Sequence, residues 1–444
     1  FLMSRKSDWN LSKGAWTLLD LATASCATVL VPLYWSPISE TLRSVPTERL
    51  VMYAVFYGFA FWVAGEVLGV HEKRSSRSWR FRVAVCTLAA VGACLGLLLM
   101  VWAIEYRFVG RFALAKIVGC SVAGVMIMRL AIEGMASRSR PKVLALLAEE
   151  TSKELAMALK EGGEQLQLEG FKEDMSDSAE SFVGYCEEQG IHEVVTQHDT
   201  EHKGLLNVVA LLAGGTRVSD IVDFWERTFA RIPPQYVDEA WLARLDLRLR
   251  HPLFHRAKRF LDVLVAIIGL VVSIPILAIA SILILVGSRG PVFFSQRRTG
   301  YLGRDYVLYK LRTMRTDAEQ DGAQWAEKQD ARITGVGRFL RKWRIDEIPQ
   351  FWNVLRGEMS IVGPRPERPE LEEKLAVEIP LWSSRHLVKP GLTGWAQIRF
   401  RYAADSNASR EKLAHDLYYI KNASLLLDLQ IILSTLRSLA RGSR

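Results

Sequence analysis

The sequence predicts a membrane α-helical bundle joined to α/β domains, on three observations. Four apolar stretches of spanning length fill the first third of the chain. Strand and helix patterns alternate through its middle, and a fifth apolar run, interrupted by a proline, opens a basic C-terminal part rich in glycine and proline. At 444 residues the chain exceeds one ordinary domain. The expected division is a four-helix transmembrane bundle over 1–140, a Rossmann-like cytoplasmic α/β module over 141–250, and an α/β domain with a re-entrant membrane helix hairpin over 251–444.

The spanning stretches are about Ala15–Trp35, Leu50–Val70, Val83–Ile104 and Phe112–Met135, each reaching the roughly 20 residues that a helix needs to cross a bilayer. No short apolar segment with a small-residue cleavage site precedes them, so no cleaved leader is expected. Arg5, Lys6 and Lys13 precede the first span. Lys73, Arg74, Arg77, Arg80 and Arg82 crowd the second connection, and Arg138, Arg140 and Lys142 follow the fourth span. The positive-inside rule places all three clusters, and everything after the bundle, in the cytoplasm. Asp20, Glu66 and Arg129 lie within or near the span ends, and with nothing pairing them into an ion path they read as bundle-facing polar residues. The net charge of +9 comes from cations flanking apolar runs, which suits an anionic membrane surface and phosphate-bearing ligands and argues against nucleic acid. Four of the five cysteines fall inside apolar stretches, so neither a disulfide framework nor a zinc spacing is expected.

From Pro141 the composition is that of a soluble domain. Val143–Leu147, Gln165–Phe171 and His192–Thr196 read as strands, alternating with helices at Thr151–Lys160, Ala179–Gln189 and Leu205–Ala213, which predicts a small parallel sheet. The first strand-to-helix turn, Leu147 to Ser152, lacks the glycines that let a pyrophosphate approach and carries Glu149 and Glu150, so no nucleotide site is expected there. The module reads as regulatory or assembly-forming.

The run Leu261–Val286 is long enough to cross a bilayer. Yet Arg256, Lys258 and Arg259 precede it and Arg289, Arg297 and Arg298 follow it, so both ends carry the cytoplasmic mark. Pro275 removes a backbone donor near the middle and Ser273 can satisfy a freed carbonyl, so the expected conformer enters the membrane, bends and leaves by the same face. Short strands are expected at Val292–Ser295 and Tyr306–Lys310 around a turn at Gly300–Gly303, a helix at Val336–Trp343, and a last helix at about Leu425–Leu439.

Asp346 and Glu347 precede Pro349, an apolar run and Gly357. That order predicts a short helix with Asp346 at its N-cap and both carboxylates at the positive end of its dipole. Lys310, Arg312, Arg341 and Arg365 sit on turns and element ends nearby in the chain. Cations beside paired carboxylates suit phosphate binding, a carboxylate can attack phosphorus, and Mg²⁺ held by Asp346, Glu347 and a diphosphate would neutralise the transferring group. Adjacent acids starting a helix are poorly placed to flank a sugar ring as in a glycosidase. A non-catalytic scaffold for polysaccharide assembly is the other alternative.

Lys258–Asp262, Gly290–Met314 (with Gln296, Arg298, Gly300, Gly303 and Thr313), Asp346–Gln350, Asn353–Leu355, Met359–Pro366 and Lys389–Gln397 resemble the bacterial polyprenyl-phosphate sugar-1-phosphate transferases. These are monotopic phosphoglycosyl transferases, and the bundle and middle module match their large form. The resemblance implies that Asp346 is the nucleophile and Glu347 its partner acid, with Lys310, Arg341 and Arg365 at basic active-site positions. It implies transfer of a hexose-1-phosphate, glucose or galactose, from a UDP-hexose to undecaprenyl phosphate with release of UMP and use of Mg²⁺. The inner membrane, with the catalytic domain on its cytoplasmic face, is the implied location. The Arg399–Tyr402 segment is a candidate nucleotide or sugar contact, and the added bundle and module suit a homodimer. The sequence departs from the family in placing Ile274 where a serine precedes the membrane proline, with Ser273 one position earlier, and in lacking a tryptophan around Asn422–Ser424.

Overall fold

The computed structural model describes residues 21–26, 46–68, 79–105, 111–136, 142–162, 166–170, 179–197, 208–245, 252–316, 318, 330, 332–400 and 406–440. It divides into two compact units, Phe1–Ile221 and Val222–Arg444.

In the first unit, helix α2 (Trp79–Glu105) packs against both α1 (Thr47–Leu68) and α3 (Arg111–Ala136). Ala89, Ala90 and Ala93 share a core with Tyr57, Phe61, Ile117 and Val125, while Leu88, Leu95, Leu99, Ile127 and Leu130 face outward. Small residues inside and large apolar ones outside is the arrangement of helices that approach closely in lipid. Among the described residues two helices are long and apolar enough to cross a membrane by length and composition, α2 through Cys86–Ile104 and Pro252–Gly287 of the second unit. The shorter Leu114–Met128 lies in α3. Of the four expected spans, then, only that in α2 meets this measure. The aromatic-rich α1, which contains Glu66, falls short of it, and the first span lies outside the described residues except for a helical segment at 21–26. Asp20 and the side chains of Glu66 and Arg129 lie outside them too.

The remainder of this unit is a four-stranded parallel sheet ordered β2-β1-β3-β4. Its strands are β1 (Lys142–Leu146), β2 (Gln167–Gly170), β3 (Ile191–Thr196) and β4 (Arg217–Asp220), connected by α4 (Glu149–Gly162), α5 (Ala179–Gln189) and α6 (Val208–Ala213). Leu144, Leu146 and Val194 bury against Phe182, Cys186 and Leu211. Three strands and all three helices lie where the alternation predicts them. The four-residue β4 carries too little pattern to read in advance. Glu149 and Glu150 open α4 directly after β1, with no glycine between strand and helix.

The second unit begins before the expected boundary at 250. Residues 222–245 pack within it: Trp395 Nε1 donates to Ala230 O at 2.8 Å, and Asn422 Nδ2 donates to Glu226 Oε1 at 2.7 Å. These residues form α7 (Ile221–Phe229), a 3₁₀ turn at Pro234–Tyr236 and α8 (Glu239–Arg244). The 36-residue α9 (Pro252–Gly287) follows, with Pro275 inside one helix and not at a turn between two. Ser273 Oγ donates to Leu270 O at 3.1 Å and not to Val271 O, the carbonyl that the missing Pro275 N–H leaves free, so it does not fill the role expected from sequence.

Both halves of α9 are fastened to the same unit. In the first half, Asp262 Oδ1 accepts from Ser360 Oγ and Ile361 N–H at 3.0 Å each, Arg259 donates to Val354 O (2.6 Å) and Leu355 O (2.8 Å), and Lys258 pairs with Asp428 at 2.6 Å. In the second half, Ala280 and Ile284 bury with Leu311 and Leu340. The outward face, with Ile268, Val271, Val272, Ile274, Ile279 and Ile282, is exposed and wholly apolar.

Hairpin β5 (Phe293–Thr299) and β6 (Asp305–Leu311) closes through a 3₁₀ turn at Tyr301–Gly303. Next come α10 (Gly335–Lys342), a 3₁₀ turn at Ile345–Glu347, α11 (Gln350–Arg356) and β7 (Ser360–Val362). After these come α12 (Pro369–Glu378), a 3₁₀ turn at Trp382–Leu387, β8 (Gly391–Thr393), α13 (Trp395–Arg399), α14 (Ser406–Asn422) and α15 (Leu425–Ala440). Strands β7 and β8 pair in parallel, hidden from sequence because Lys389–Trp395 reads only as a turn-rich segment. Here the backbones meet so closely that a Cβ on Gly363 would lie 2.3 Å from Lys389 O, and one on Gly391 2.1 Å from Gly363 N.

Asn353 is fully buried and ties α11 to the hairpin: its Nδ2 donates to Val307 O and Glu358 Oε2 at 2.7 Å each, and its Oδ1 accepts from Tyr309 N–H at 3.2 Å. Asn353→Leu should therefore lower stability by roughly 1–3 kcal/mol for each group left unpaired. Thermal unfolding of the detergent-solubilised protein checks this, and an unchanged midpoint would refute it.

Candidate active site

The acid pair sits in the 3₁₀ turn Ile345–Glu347, one step before α11. Arg344 opens the turn in a left-handed conformation (φ 51°, ψ 27°), which costs a non-glycine residue about 1–2 kcal/mol. The N-cap of α11 is Pro349, with no side-chain cap, so Asp346 does not fill the capping role that the sequence suggests. A proline that supplies the cap leaves the acid upstream of it free of the helix. The expected stop holds: Gly357 is left-handed (φ 81°) and its N–H returns to Val354 O.

Both acids are buried, and their surroundings differ. Glu347 gathers cations from three elements: Arg365 Nη2 at 2.9 Å and Lys310 Nζ at 3.7 Å on Oε1, and Arg344 Nη1 at 3.7 Å on Oε2. Burial opposes its charge, but Arg365, Lys310 and Arg344 outweigh burial and hold the carboxyl down at about 2. Asp346 has no hydrogen-bond or ion-pair partner among the described residues. Burial and then the neighbouring Glu347 push its carboxyl above the ordinary value, against the longer-range pull of Lys310, Arg341 and Arg365. Burial likewise pushes the Lys310 ammonium down, with Glu347 opposing. One carboxylate is thus a fixed counter-ion for three cations, and its neighbour is a buried carboxyl with no ion-pair partner among the described residues.

Of the other residues singled out from the sequence, Arg341 lies at the edge of this group, its Nε donating to Thr313 Oγ1 at 2.9 Å. Arg312 is not brought into it. Its guanidinium donates to the carbonyls of Arg289 (2.6 Å), Ser288 (2.9 Å) and Gly290 (3.4 Å), fastening the segment that leaves α9. The period of two would put Arg312 on the same face as Lys310, but β6 ends at Leu311, so the alternation no longer holds at Arg312. Arg399 stacks over Trp395 at 4.5 Å, and positions 401 and 402 lie outside the described residues. Arg344 is the cation that sequence reasoning missed; its place three residues before Glu347, one turn away, was the available signal.

Mg²⁺ is usually held by one or two carboxylates together with substrate phosphates and water. Among the described residues no group of three His, Cys, Asp or Glu side chains could hold a metal ion, so a protein-only cage is not formed. Asp346 with a bound diphosphate fits the ordinary Mg²⁺ donor set, and Glu347, committed to three cations, fits it less well.

Residues 253–442 match the bacterial sugar transferase family. An exopolysaccharide production protein, PSS, of Rhizobium leguminosarum is 40% identical over 195 residues, 42% of this chain and 96% of that protein. The chain belongs to the bacterial sugar transferase family. Within the family it is also similar to a UDP-N-acetylgalactosamine-undecaprenyl-phosphate N-acetylgalactosaminephosphotransferase of Aeromonas hydrophila, 41% identical over 244 residues, 51% of this chain and 58% of the relative. A UDP-glucose:undecaprenyl-phosphate glucose-1-phosphate transferase of Caulobacter vibrioides is 40% identical over 184 residues, 41% of this chain and 69% of the relative. The aligned part therefore spans little more than half of the Aeromonas protein. The residues that match the family hold the whole acid-and-cation cluster.

The Glu347 cluster has a consequence for stability. A carboxyl lowered from 4.5 to about 2 contributes stability that is complete above the unfolded value and is lost as pH falls from about 4.5 toward 2. Glu347→Gln removes this contribution, so wild type and variant should differ most in unfolding midpoint at pH 7, by less than half as much at pH 3, and converge only as pH approaches about 2. A difference that persists undiminished at pH 3 would show that the three cations do not stabilise ionised Glu347.

Proposed function

We propose that this sugar transferase moves a sugar-1-phosphate from a UDP-sugar to undecaprenyl phosphate, releasing UMP, through a covalent intermediate on Asp346. The observation that carries the reading is the division between Glu347, held by three cations, and Asp346, buried beside it without a partner among the described residues. An Asp346 oxygen attacks the β-phosphorus, the bond to the UMP oxygen breaks, and the sugar phosphate remains as an acyl phosphate. A phosphate oxygen of the polyprenyl acceptor then attacks the same phosphorus and frees the Asp346 carboxylate. Arg365, Lys310 and Arg344, already gathered at Glu347, provide the positive field in which diphosphate charge is bound. Mg²⁺, when bound, supplies further charge neutralisation at the transferring phosphoryl group. Similarity to relatives named for glucose and for N-acetylgalactosamine supports a UDP-hexose or UDP-N-acetylhexosamine as the donor; the glucose or galactose expected from sequence falls within that class.

The decisive measurement is intact-protein mass after incubation with UDP-sugar and Mg²⁺ but without acceptor. Wild type should gain one hexose- or N-acetylhexosamine-phosphate, and Asp346→Asn, which keeps the shape, should gain nothing and release no UMP. Because Asp346 must be ionised to attack and its carboxyl is raised, UMP release should fall as pH drops through a value above 3.8. Turnover by Asp346→Asn would exclude the double displacement, and absence of UMP release by wild type from any UDP-sugar would favour the scaffold.

On the same reading α9 lies in the cytoplasmic face of the inner membrane as a re-entrant element. Its apolar outer face needs lipid, while its two halves are both fastened to one soluble unit through Asp262 and Arg259 on one side and Ala280, Ile284 and Arg312 on the other. A full crossing would pull one of these attachments through the bilayer. Single cysteines at positions 251 and 290, in a cysteine-free background, should both label only from the cytoplasmic side. Labelling of position 290 from the opposite side would refute this topology.

A further inference from the structure

The Gly363-Pro364-Arg365-Pro366 segment carries the arginine closest to Glu347, yet it belongs to no helix and only its first N–H joins a strand partner, Thr393 O at 2.9 Å. Two prolines deprive it of donors. Its shape is imposed from outside through four consecutive carbonyls. Gly391 N–H donates to Pro364 O at 2.8 Å, Arg385 Nη2 to Arg365 O at 2.7 Å, Arg298 Nη1 to Pro366 O at 3.2 Å, and Thr299 N–H to Glu367 O at 3.2 Å.

Arg385, 3% exposed, comes from the 3₁₀ turn Trp382–Leu387. Its Nε donates to Asp416 Oδ2 at 2.9 Å and its Nη1 lies 3.5 Å from Glu372 Oε1, with both acids buried. Its plane also lies 4.3 Å over the Trp382 ring. Carboxylates on α12 and α14 thus hold one guanidinium from two sides, and its remaining Nη2 is aimed at a single backbone carbonyl. A buried charge cluster gives little net stability, because desolvation offsets the attraction. What it provides is direction, since a guanidinium fixed at two edges can place its third donor at one point only.

We propose that Arg385, held by Asp416 and Glu372, is a positioning residue for phosphoryl transfer. It fixes the backbone at Arg365, and so delivers the Arg365 guanidinium to Glu347. The inference rests on the functional reading above. Arg385 pairs with neither Asp346 nor Glu347, and on this proposal its effect passes through Arg365.

The test uses the full-length protein in detergent or lipid nanodiscs, with UMP release as the activity and hydrogen–deuterium exchange as a readout independent of it. Arg385→Met should lower kcat/KM by about 10²-fold, the loss typical of a misplaced catalytic contact. In an Arg365→Met background the same substitution should cost no more than about twofold, because coupled residues are non-additive. Peptides covering 363–367 should exchange faster in Arg385→Met while those of α11 do not. Additive losses, or unchanged exchange over 363–367, would overturn the proposal and leave Arg385 a packing residue. If Arg385→Met does not fold, Arg385→Lys keeps the charge between the two acids but loses the fork, and it must show the same non-additivity with Arg365→Met. If wild type releases no UMP from any UDP-sugar, the functional reading falls by itself, and the exchange measurement still decides whether Arg385 holds the segment.

Discussion

Two carboxylates buried side by side in one turn repel each other, and neither has water to screen it. The second unit resolves that conflict by asymmetry. Glu347 receives Arg365, Lys310 and Arg344, one each from the proline-flanked segment after β7, the end of β6 and the left-handed start of the turn itself. Asp346 receives none. Were the cations divided evenly, the first acid would be tied in ion pairs as well. By concentrating on one acid, they leave the other without an ion-pair partner among the described residues and flanked by positive charge.

That asymmetry depends on backbone placement more than on side-chain reach. Lys310 is held by the Asn353 bonds that lock α11 to the hairpin, and Arg365 by donors on the carbonyls around it. Arg259 and Arg312 act in the same manner on either side of α9, each spending its guanidinium on carbonyls: Arg259 on those at the end of α11, Arg312 on those that follow α9. Arg312, which by its place in the chain looks like a phosphate ligand, is therefore a fastener of irregular backbone as Arg259 is, a task that a planar fork with several donors suits well.

This explains what could be read from sequence. Period and length exposed the parallel sheet, the hairpin, α10, α15 and the apolar α9, because those elements repeat a pattern over many residues. Gly357 was legible as a helix stop, since few residues take its left-handed backbone. The three-residue strands β7 and β8 were not, and neither was the cap of α11: Asp346 and Pro349 both satisfy the rules for a helix start, and only tertiary packing decided between them. Of the site, the acids, Lys310 and Arg365 were legible from their motifs, and Arg344 lay in plain view beside them. Arg312 and Arg385 could not be sorted, because the choice between a ligand and a carbonyl depends on which segment of the fold arrives opposite.

Attachment of both halves of α9 also fixes a length. The acid turn has no flexible tether to the apolar face, so its height above whatever hydrocarbon receives Val271, Val272 and Ile274 is set by rigid packing through Gly269, Phe351 and α11. On the proposed reading, chemistry would then be confined to a thin sheet of space at that height. An acceptor carried in the same sheet would meet Asp346 by lateral diffusion, with molecules per area as the relevant concentration, while a soluble donor would arrive from a volume. Diluting the lipid within its bilayer should slow such a catalyst where diluting the vesicles does not.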